Sequence, residues 1–97
     1  MYVQVVTMQF EWDENKNAIN IQKHGIDFND VLDMFNHPMV IQQDTRFAYY
    51  EDRWIGIGWL RYQIGVVVYT EREGDTIRII SARLATKQEV KRYEQSL

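Results

Sequence analysis

Hydrophobic positions in the first part of the chain recur at the period of an α-helix. Phe28, Val31, Leu32 and Phe35 are spaced i, i+3, i+4 and i+7, so a helix places all four side chains on one face. Pro38 ends this helix, because the residue before a proline avoids helical backbone angles. The pattern therefore predicts a short helix that packs one apolar face against a core.

A preceding helix is predicted mainly by the residues that begin and end it. Asp13 is a suitable N-cap, since its carboxylate can accept hydrogen bonds from the first free N–H groups. The helix then runs to about His24, with Ala18 and Ile21 on one face. Gly25 suits the left-handed position that follows a helix, which glycine adopts at little cost.

From residue 40 onward the period changes to that of β-strands. Short β-branched and aromatic runs predict four strands, at Val40–Gln43, residues 53–60, residues 64–72 and Thr76–Leu84. The connections between the later strands are short, which favours hairpins and hence an antiparallel meander. A further β-rich run, residues 2–10, predicts one more strand at the N-terminus.

The last segment is a helix with a clear beginning. Thr86 is followed three residues later by Glu89, the spacing of a capping box, and Val90, Tyr93 and Leu97 share one face behind it. The element order β, α, α, β, β, β, β, α predicts an α+β fold. We expect an antiparallel sheet of about four main strands, with two N-terminal helices and one C-terminal helix.

Composition is that of an ordinary soluble domain. The 97 residues suffice for one domain, and 45% apolar and 26% charged residues are usual proportions. The absence of cysteine excludes a disulfide framework and a thiolate zinc site. No segment has the pattern of a membrane span or signal peptide, so we expect a cytoplasmic protein without a membrane partner. Residues 1–7 precede a second methionine, Met8, and are expected to be an N-terminal extension.

Charge is unevenly distributed between the two halves of the chain. Residues 1–52 carry three basic and nine acidic side chains, a net −6, whereas residues 53–97 carry eight basic and five acidic, a net +3. The total of −3 argues against a nucleic-acid partner, but binding depends on the local field rather than on the total. The basic half is compatible with a polyanion.

Sequence motifs for several chemistries are absent. The histidines lack metal-ligand spacing, the glycines form no phosphate-binding loop, and no serine lies in a nucleophile motif. We therefore expect no metal and no cofactor. The remaining chemical feature is a set of arginines on predicted strands: Arg53, Arg72, Arg78 and Arg83.

Strand alternation assigns these arginines to faces of the sheet. Side chains two apart share a face, so Ser81 and Arg83 are predicted on the face of Ile77 and Ile79, with Arg78 on the opposite face. Charged groups are costly to bury unless paired. Either the arginines pair with glutamates on a half-solvated sheet, or they bind an anion. The available partners are Glu51, Glu71 and Glu73.

A series of short motifs runs through about residues 9–97. The motifs are Phe10-Glu11-Trp12-Asp13-Glu14, Lys16, Asn20, Lys23-His24-Gly25, Phe28, Asp44, Arg46, Glu51, Arg53, Gly56 or Gly58, Val67-Val68-Tyr69-Thr70-Glu71-Arg72, Arg78-Ile79-Ile80-Ser81-Ala82-Arg83, Ala85-Thr86, Glu89 and Tyr93. By the order and spacing of these motifs, rather than by any single fragment, the chain resembles the BrnT family of toxins.

The resemblance implies a small ribonuclease toxin of a type II toxin–antitoxin system, with a RelE-like fold. Such a toxin cuts RNA, inhibits translation and is neutralised by a BrnA-like antitoxin. The ribbon–helix–helix domain of that antitoxin binds the operator, so operator DNA is reached only indirectly. The alternative is a non-catalytic, toxin-like module that serves as antitoxin partner or co-repressor.

Metal-free RNA cleavage suits the residue types that the resemblance brings together. Attack by the substrate's own 2′-hydroxyl needs groups that transfer protons and cations that stabilise the phosphate. Histidine titrates near neutrality, and guanidinium binds two phosphate oxygens at once. The predicted catalytic residues are His24, Glu51, Arg53, Arg72 and Arg83. The predicted substrate-binding residues are Lys23, Tyr93 and Glu71, of which Glu71 is also an alternative to Glu51 for proton transfer.

Aromatic residues near the first long strands predict a protein-binding surface. Tyr49, Tyr50, Trp54, Trp59 and Tyr62 exceed what one small core needs, and tyrosine and tryptophan are common interface anchors. Either most of them pack beneath the N-terminal helices, or some form an exposed patch for the antitoxin.

Overall fold

A computed structural model describes residues 8–97 of the chain. Five strands form one sheet in the order β1-β5-β4-β3-β2. The strands are β1 Gln9–Glu11, β2 Val40–Gln43, β3 Trp54–Leu60, β4 Gln63–Arg72 and β5 Thr76–Leu84. The four strands predicted after residue 40 are confirmed, and the bounds of two of them shift by one residue.

Strand β1 makes the sheet mixed. Strands β2 to β5 form the expected antiparallel meander, but β1 pairs with β5 in parallel, with Gln9 opposite Thr76. The prediction of a wholly antiparallel sheet is wrong for this strand, because a hairpin turn sets the direction only of the strands that it joins. Residues 1–7, predicted as an extension and as part of this strand, lie outside the described residues.

The first helix, α1 (Glu14–His24), begins and ends as its caps predict. The Asp13 carboxylate accepts hydrogen bonds from the backbone N–H groups of Asn15 and Lys16, at 2.8 and 3.1 Å. Gly25 has a φ of 69°, in the left-handed region. A residue without a Cβ takes that conformation at little cost, so the helix end explains the glycine.

Helix α1 buries asparagines instead of the predicted apolar face. Ala18 and Ile21 are exposed, whereas Asn17 and Asn20 are each 5% exposed. The Asn20 side chain accepts the N–H of Ala82 on β5 at 3.1 Å and donates to the carbonyl of the same residue at 2.9 Å. Beyond the end of β1, the Asn20 side chain thus pairs with the backbone of β5 as a neighbouring strand would. An unpaired strand edge needs polar partners. The polar residues that supply them are not marked by a hydrophobic period, so the sequence pattern does not reveal them.

Replacing Asn20 by alanine should destabilise the fold. We expect Asn20→Ala to lower the free energy of unfolding by roughly 2–4 kcal/mol, because each buried backbone group left without a partner costs about 1–3 kcal/mol. Asn15→Ala, the same change on the exposed side of α1, should cost less than about 0.5 kcal/mol. Denaturant unfolding measures both changes, and equal losses would contradict the role assigned to Asn20.

The second helix follows the predicted apolar face for one turn and then changes from an α-helix to a 3₁₀-helix. Phe28 and Val31 are fully buried, as predicted, and pack under the sheet. The change to three residues per turn then buries Met34 and leaves Phe35 half-buried. The elements are α2, Phe28–Val31, and a 3₁₀-helix, Leu32–Asn36.

The C-terminal helix, α3 (Lys87–Gln95), packs on the opposite face of the sheet, here called the α3 face. It begins with the predicted capping box: Glu89 donates its N–H to the Thr86 hydroxyl at 3.2 Å, and its carboxylate accepts the Thr86 N–H at 2.9 Å. Tyr93 is buried as predicted, whereas Leu97 lies beyond the helix end and is exposed, so its predicted packing is wrong.

A register shift interrupts the pairing of β4 with β5. Val68 lies opposite Ser81, but the next residue, Tyr69, lies opposite Ile79. Strand β5 therefore carries one extra residue at this point, which is a β-bulge. The bulge exchanges the two faces of β5, since alternation is preserved only within unbroken pairing.

The bulge overturns the predicted faces of the β5 side chains. Ser81 and Arg83 lie on the α3 face, because they pair with β4 residues of that face, whereas Ile77 and Ile79 belong to the core under α2. The prediction that these four share a face is wrong. Arg78 lies on the same face as Arg83, so its predicted separation from Arg83 is wrong as well.

Candidate functional site

A cleft beside α1 collects cationic side chains from three separate parts of the chain. It encloses about 310 Å³ between the end of α1 and strands β3, β4 and β5. Lys23 and His24 come from the last turn of α1, Arg46 from the segment after β2, and Arg83 from β5. The remaining lining residues are Ile55, Val66, Val68, Ser81 and Ala82. The fold thus joins three predicted site residues and adds Arg46.

Two features of α1 hold Lys23 and His24 at the cleft. The Gly25 cap ends the helix directly after His24, so both side chains lie in its last turn. The hydrogen bonds of Asn20, one turn earlier, fix this end of the helix to β5, the strand that carries Arg83. A cation near a helix C-terminus also suits the helix dipole. The same local structure therefore serves both the helix end and the cleft.

Arg83 is held in the cleft by Glu89 of α3. Its Nη1 and Nη2 donate to the two carboxylate oxygens at 2.7 and 3.0 Å, and Nη1 also donates to the Leu84 carbonyl at 3.2 Å. The hydrogen bonds between Arg83 and Glu89 raise the pKa of Arg83 and lower the pKa of Glu89 to about 2. Within residues 8–97, its Nε–H has no partner and Nη2 makes one hydrogen bond. The edge of the guanidinium formed by Nε–H and the remaining N–H of Nη2 can bind two phosphate oxygens.

Arg46 is the cleft residue that the predicted site lacked. The buried Asp44 carboxylate accepts hydrogen bonds from Arg46 Nε and Nη2 at 2.8 and 2.9 Å, and from the Tyr49 hydroxyl at 3.1 Å. The Arg46 hydrogen bonds hold the pKa of Asp44 well below its usual range. Arg46 and Arg83 line the same cleft, and the positive charge of Arg46 partly opposes the rise in the pKa of Arg83 that Glu89 causes.

The sequence does contain one signal for Arg46. An aspartate two residues before it has the spacing of an Asx turn, and the Asp44 carboxylate accepts the Arg46 N–H at 3.2 Å. Such a turn fixes the direction of the chain, but it does not show which strand the arginine will face. The long-range fold was needed to place Arg46 beside Arg83.

The Glu89 pair gives the fold a measurable dependence on pH. Because the folded pKa of Glu89 is about 2 and its ordinary value is 4.5, the stabilisation is present above pH 4.5 and is lost as the pH falls through 2. We expect this part of the loss to be roughly 1–3 kcal/mol. The free energy of unfolding, measured from pH 6 to pH 2, should fall more steeply for the natural chain than for Glu89→Gln. Parallel curves would contradict the assignment.

Glu51 and Arg53 lie in an adjoining pocket rather than in the cleft itself. This pocket, of about 250 Å³, is formed by residues of the β2–β3 segment. Arg53 Nε lies 3.5 Å from Glu51 Oε1, and the guanidinium carbon lies 4.1 Å from the centre of the Tyr49 ring. The buried Arg53 Nε has no hydrogen-bond partner within residues 8–97. The pocket and the cleft are joined through the Asp44–Arg46 pair.

Arg72 lies at the β1 end of the sheet. It shares the carboxylate of Glu11 with Arg78, at N–O distances of 3.4 and 3.5 Å. Strand alternation places Arg72 on the α3 face, since it pairs with Thr76 two residues from the Thr70–Arg78 pair. It is therefore on the same face as the cleft residues but does not line the cleft.

Two predicted substrate-binding residues lie apart from the cleft. Glu71 pairs with Ile77, on the face opposite to Arg83, and is exposed. The Tyr93 ring is buried between α3 and the α3 face of the sheet, and its hydroxyl donates to the Pro38 carbonyl at 3.0 Å. The structure therefore gives Tyr93 a packing role and does not bring Glu71 together with His24.

The five aromatic residues predicted as one cluster occupy three places. Trp54 packs against the core under α2. Trp59 and Tyr62 line a groove beside α3, where both are exposed. Tyr49 and Tyr50 lie in the segment between β2 and β3. Trp54 and Trp59 separate because alternate residues of β3 face opposite sides of the sheet, and the three tyrosines lie outside β3.

Metal-ligand clusters and membrane-spanning helices are not found in the described part of the chain. Across residues 8–97, no three His, Cys, Asp or Glu side chains are placed to hold a metal ion. No helix in that range is long and apolar enough to cross a bilayer.

Comparison with known proteins places this chain in a family. A family model described as "Ribonuclease toxin, BrnT, of type II toxin-antitoxin system" matches residues 12–89. The crystal structure of the Brucella abortus ribonuclease toxin BrnT is similar, with 31% sequence identity and a TM-score of 0.67 over 84% of this chain and 100% of that chain. A search of curated proteins found no match. The chain therefore belongs to the BrnT family of ribonuclease toxins of type II toxin–antitoxin systems.

Proposed function

We propose that this protein is a metal-independent endoribonuclease that arrests growth by cutting RNA and so inhibiting translation. The observation that supports this proposal most directly is the cleft that joins Lys23, His24, Arg46 and Arg83. A histidine beside several cations, on a fixed helix end, suits cleavage of a phosphodiester by the substrate's own 2′-hydroxyl.

The reaction follows from the roles that these side chains can fill. The 2′-oxygen attacks phosphorus and loses its proton, and the bond from phosphorus to the 5′-oxygen breaks. That oxygen takes a proton from a solvent water, and the hydroxide left behind is neutralised by the proton removed from the 2′-oxygen. His24 is proposed to take the 2′-proton. Arg83 and Arg46 face the negative charge that grows on the phosphoryl oxygens, and Lys23 stabilises the leaving 5′-oxygen. The products are a 2′,3′-cyclic phosphate and a 5′-hydroxyl.

The other predicted site residues enter the proposal with different weight. Arg53 and Arg72 lie on or beside the α3 face and are proposed to contact phosphates further along the RNA. Glu51 is proposed to orient Arg53, since its carboxylate is the nearest anion to that guanidinium. Glu71 and Tyr93 take no part, because one lies on the opposite face and the other is buried.

A toxin of this kind needs a partner that silences it in the cytoplasm. We propose a BrnA-like ribbon–helix–helix antitoxin that covers the cationic cleft with an acidic surface. Operator DNA is then bound by the antitoxin alone, and the toxin reaches it only through that partner. Membership of a type II toxin–antitoxin family supports the existence of an antitoxin partner.

Growth assays test the proposal in the cell. Expression of the chain alone in a bacterial host should stop growth, and co-expression of a neighbouring ribbon–helix–helix gene should restore it. His24→Ala should permit growth while still co-purifying with that partner. If the natural chain binds the antitoxin yet leaves growth and RNA intact, the protein is a non-catalytic binding module and the proposal fails.

A further inference from the structure

The segment between β2 and β3 exposes aromatic rings next to the cationic cleft. In this segment, here called the aromatic loop (residues 44–53), Phe47 is 69% exposed and Tyr50 is fully exposed. Two large rings in water on one short loop are unfavourable unless something covers them. The loop therefore presents a surface whose function is not explained by packing.

The aromatic loop is held by a network rather than by a core. Asp44 accepts the Tyr49 hydroxyl at 3.1 Å and donates its own N–H to the Arg53 carbonyl at 2.7 Å. The Arg53 guanidinium stacks on the Tyr49 ring, and the Phe47 ring packs against the same ring edge-on, with 5.9 Å between ring centres. These contacts fix the Phe47 and Tyr49 rings before any ligand arrives, which lowers the entropy lost on binding.

The loop is continuous with the cleft along the chain. Arg46 lines the cleft, and the next residue, Phe47, lines the adjoining pocket. A strand of nucleic acid whose phosphate lies against Arg46 and Arg83 therefore has the Phe47 ring at its side, and Tyr50 is exposed three residues further along the same loop. Aromatic faces beside a cationic groove are the pattern by which proteins bind single-stranded nucleic acid.

The charges of the loop restrict which part of the nucleic acid it can bind. Glu51 lies beside Arg53, and Asp52 accepts the Gln43 side-chain amide at 3.1 Å. With these carboxylates present, the exposed rings of Phe47 and Tyr50 do not offer a good phosphate site. The rings offer flat apolar faces, which suit bases, and the sugar–phosphate chain belongs along Arg53 and the cations of the cleft.

We propose that Phe47 and Tyr50 form a stacking platform for unpaired bases of the RNA substrate. The inference rests on the proposed function for the location of the backbone in the cleft, and it names the substrate class as single-stranded RNA. A base inside a duplex is already stacked on its neighbours and cannot lie flat on these rings. The platform therefore selects single strands over duplexes without reading a particular sequence.

Binding of a non-cleavable RNA tests the platform separately from catalysis. The probe is a fluorescent single-stranded oligonucleotide with 2′-O-methyl groups, which lacks the attacking hydroxyl, and the readout is fluorescence anisotropy. Phe47→Ala and Tyr50→Ala should each weaken binding by about 5- to 100-fold, as loss of one stacked base predicts. Tyr50→Trp should bind as well as the natural chain or better, because a larger ring restores the stack.

Tyr62→Ala is the matched control. Tyr62 is 94% exposed at the β3–β4 turn and lines neither the cleft nor the aromatic loop. This variant should bind the probe like the natural chain, and a probe with abasic positions should not distinguish any of the variants. Melting temperatures of the Tyr50 and Tyr62 variants should agree with that of the natural chain, since these rings are exposed, and Phe47→Ala should melt slightly lower because it loses the contact with Tyr49.

The outcomes separate this inference from the proposed function. If Phe47→Ala and Tyr50→Ala bind the probe as the natural chain does, the platform is overturned. If they retain RNA binding but lose the antitoxin, the rings are a protein-binding site and the inference is also overturned. If the variants lose RNA binding while the natural chain cleaves no RNA, the platform stands and the proposed catalysis fails.

Discussion

His24→Ala should abolish most of the RNA cleavage without unfolding the protein. Positioned proton transfer contributes about 10²- to 10⁴-fold to a rate, so loss of the imidazole should lower the cleavage rate constant by that factor. The side chain is only half-buried and lies at the end of α1, so the melting temperature should change little. Single-turnover cleavage of a labelled single-stranded RNA measures the effect.

His37→Ala is the control for this prediction. It removes the other histidine of the chain, which is exposed after the 3₁₀-helix and lies 3.2 Å from Asp33. The variant should cleave RNA at the natural rate. A His24→Ala protein that is folded and fully active would remove His24 from the mechanism. Loss of activity in proportion to lost stability would give it a structural role instead.

Arg83→Ala should produce the second large loss. Removal of one preorganised donor to a developing oxyanion costs about 10²- to 10³-fold in rate. Arg83→Lys should recover only part of it, because an ammonium keeps the charge but lacks the two-pronged edge that binds two oxygens. Cleavage rates of both variants, measured at saturating RNA, give the comparison.

A stability control is required for Arg83, since the same guanidinium pairs with Glu89. Glu89→Gln breaks the ion pair but leaves Arg83 in place, so it should lower the melting temperature and retain most of the cleavage activity. Arg83→Ala, which should have a similar melting temperature, should have lost most of the cleavage activity. If the two variants lose activity equally at equal stability, Arg83 acts through the fold rather than on the phosphate.

Local signals in the sequence predicted most of the elements. Asp13, Gly25 and the Thr86–Glu89 capping box marked helix ends because their requirements involve only a few neighbouring residues. Strands β2 to β5 were predicted nearly to the residue, since β-branched runs and short turns specify a meander locally. The order of short motifs likewise predicts the toxin family, which the family model confirms.

Features that depend on distant partners were not predictable from the sequence. The bulge in β5 is defined by pairing with β4, and it reverses the face predicted for Ser81 and Arg83, which therefore lie on the same face as Arg78. Asn20 is buried because Ala82, far along the chain, exposes an unpaired strand edge. Arg46 joins the site only because the fold brings its segment to the cleft that Arg83 also lines. Spacing within a sequence does not encode any of these contacts.

Cleavage of RNA by the purified protein in the presence of EDTA tests the central claim most directly. The proposed mechanism predicts cleavage that is unaffected by the chelator, with products that end in a 2′,3′-cyclic phosphate and a 5′-hydroxyl, and no cleavage of an all-2′-O-methyl RNA. Mass spectrometry of the fragments identifies the ends. Cleavage that stops in EDTA and returns with Mg²⁺, or fragments with a 5′-phosphate and a 3′-hydroxyl, would contradict attack by the substrate's own hydroxyl.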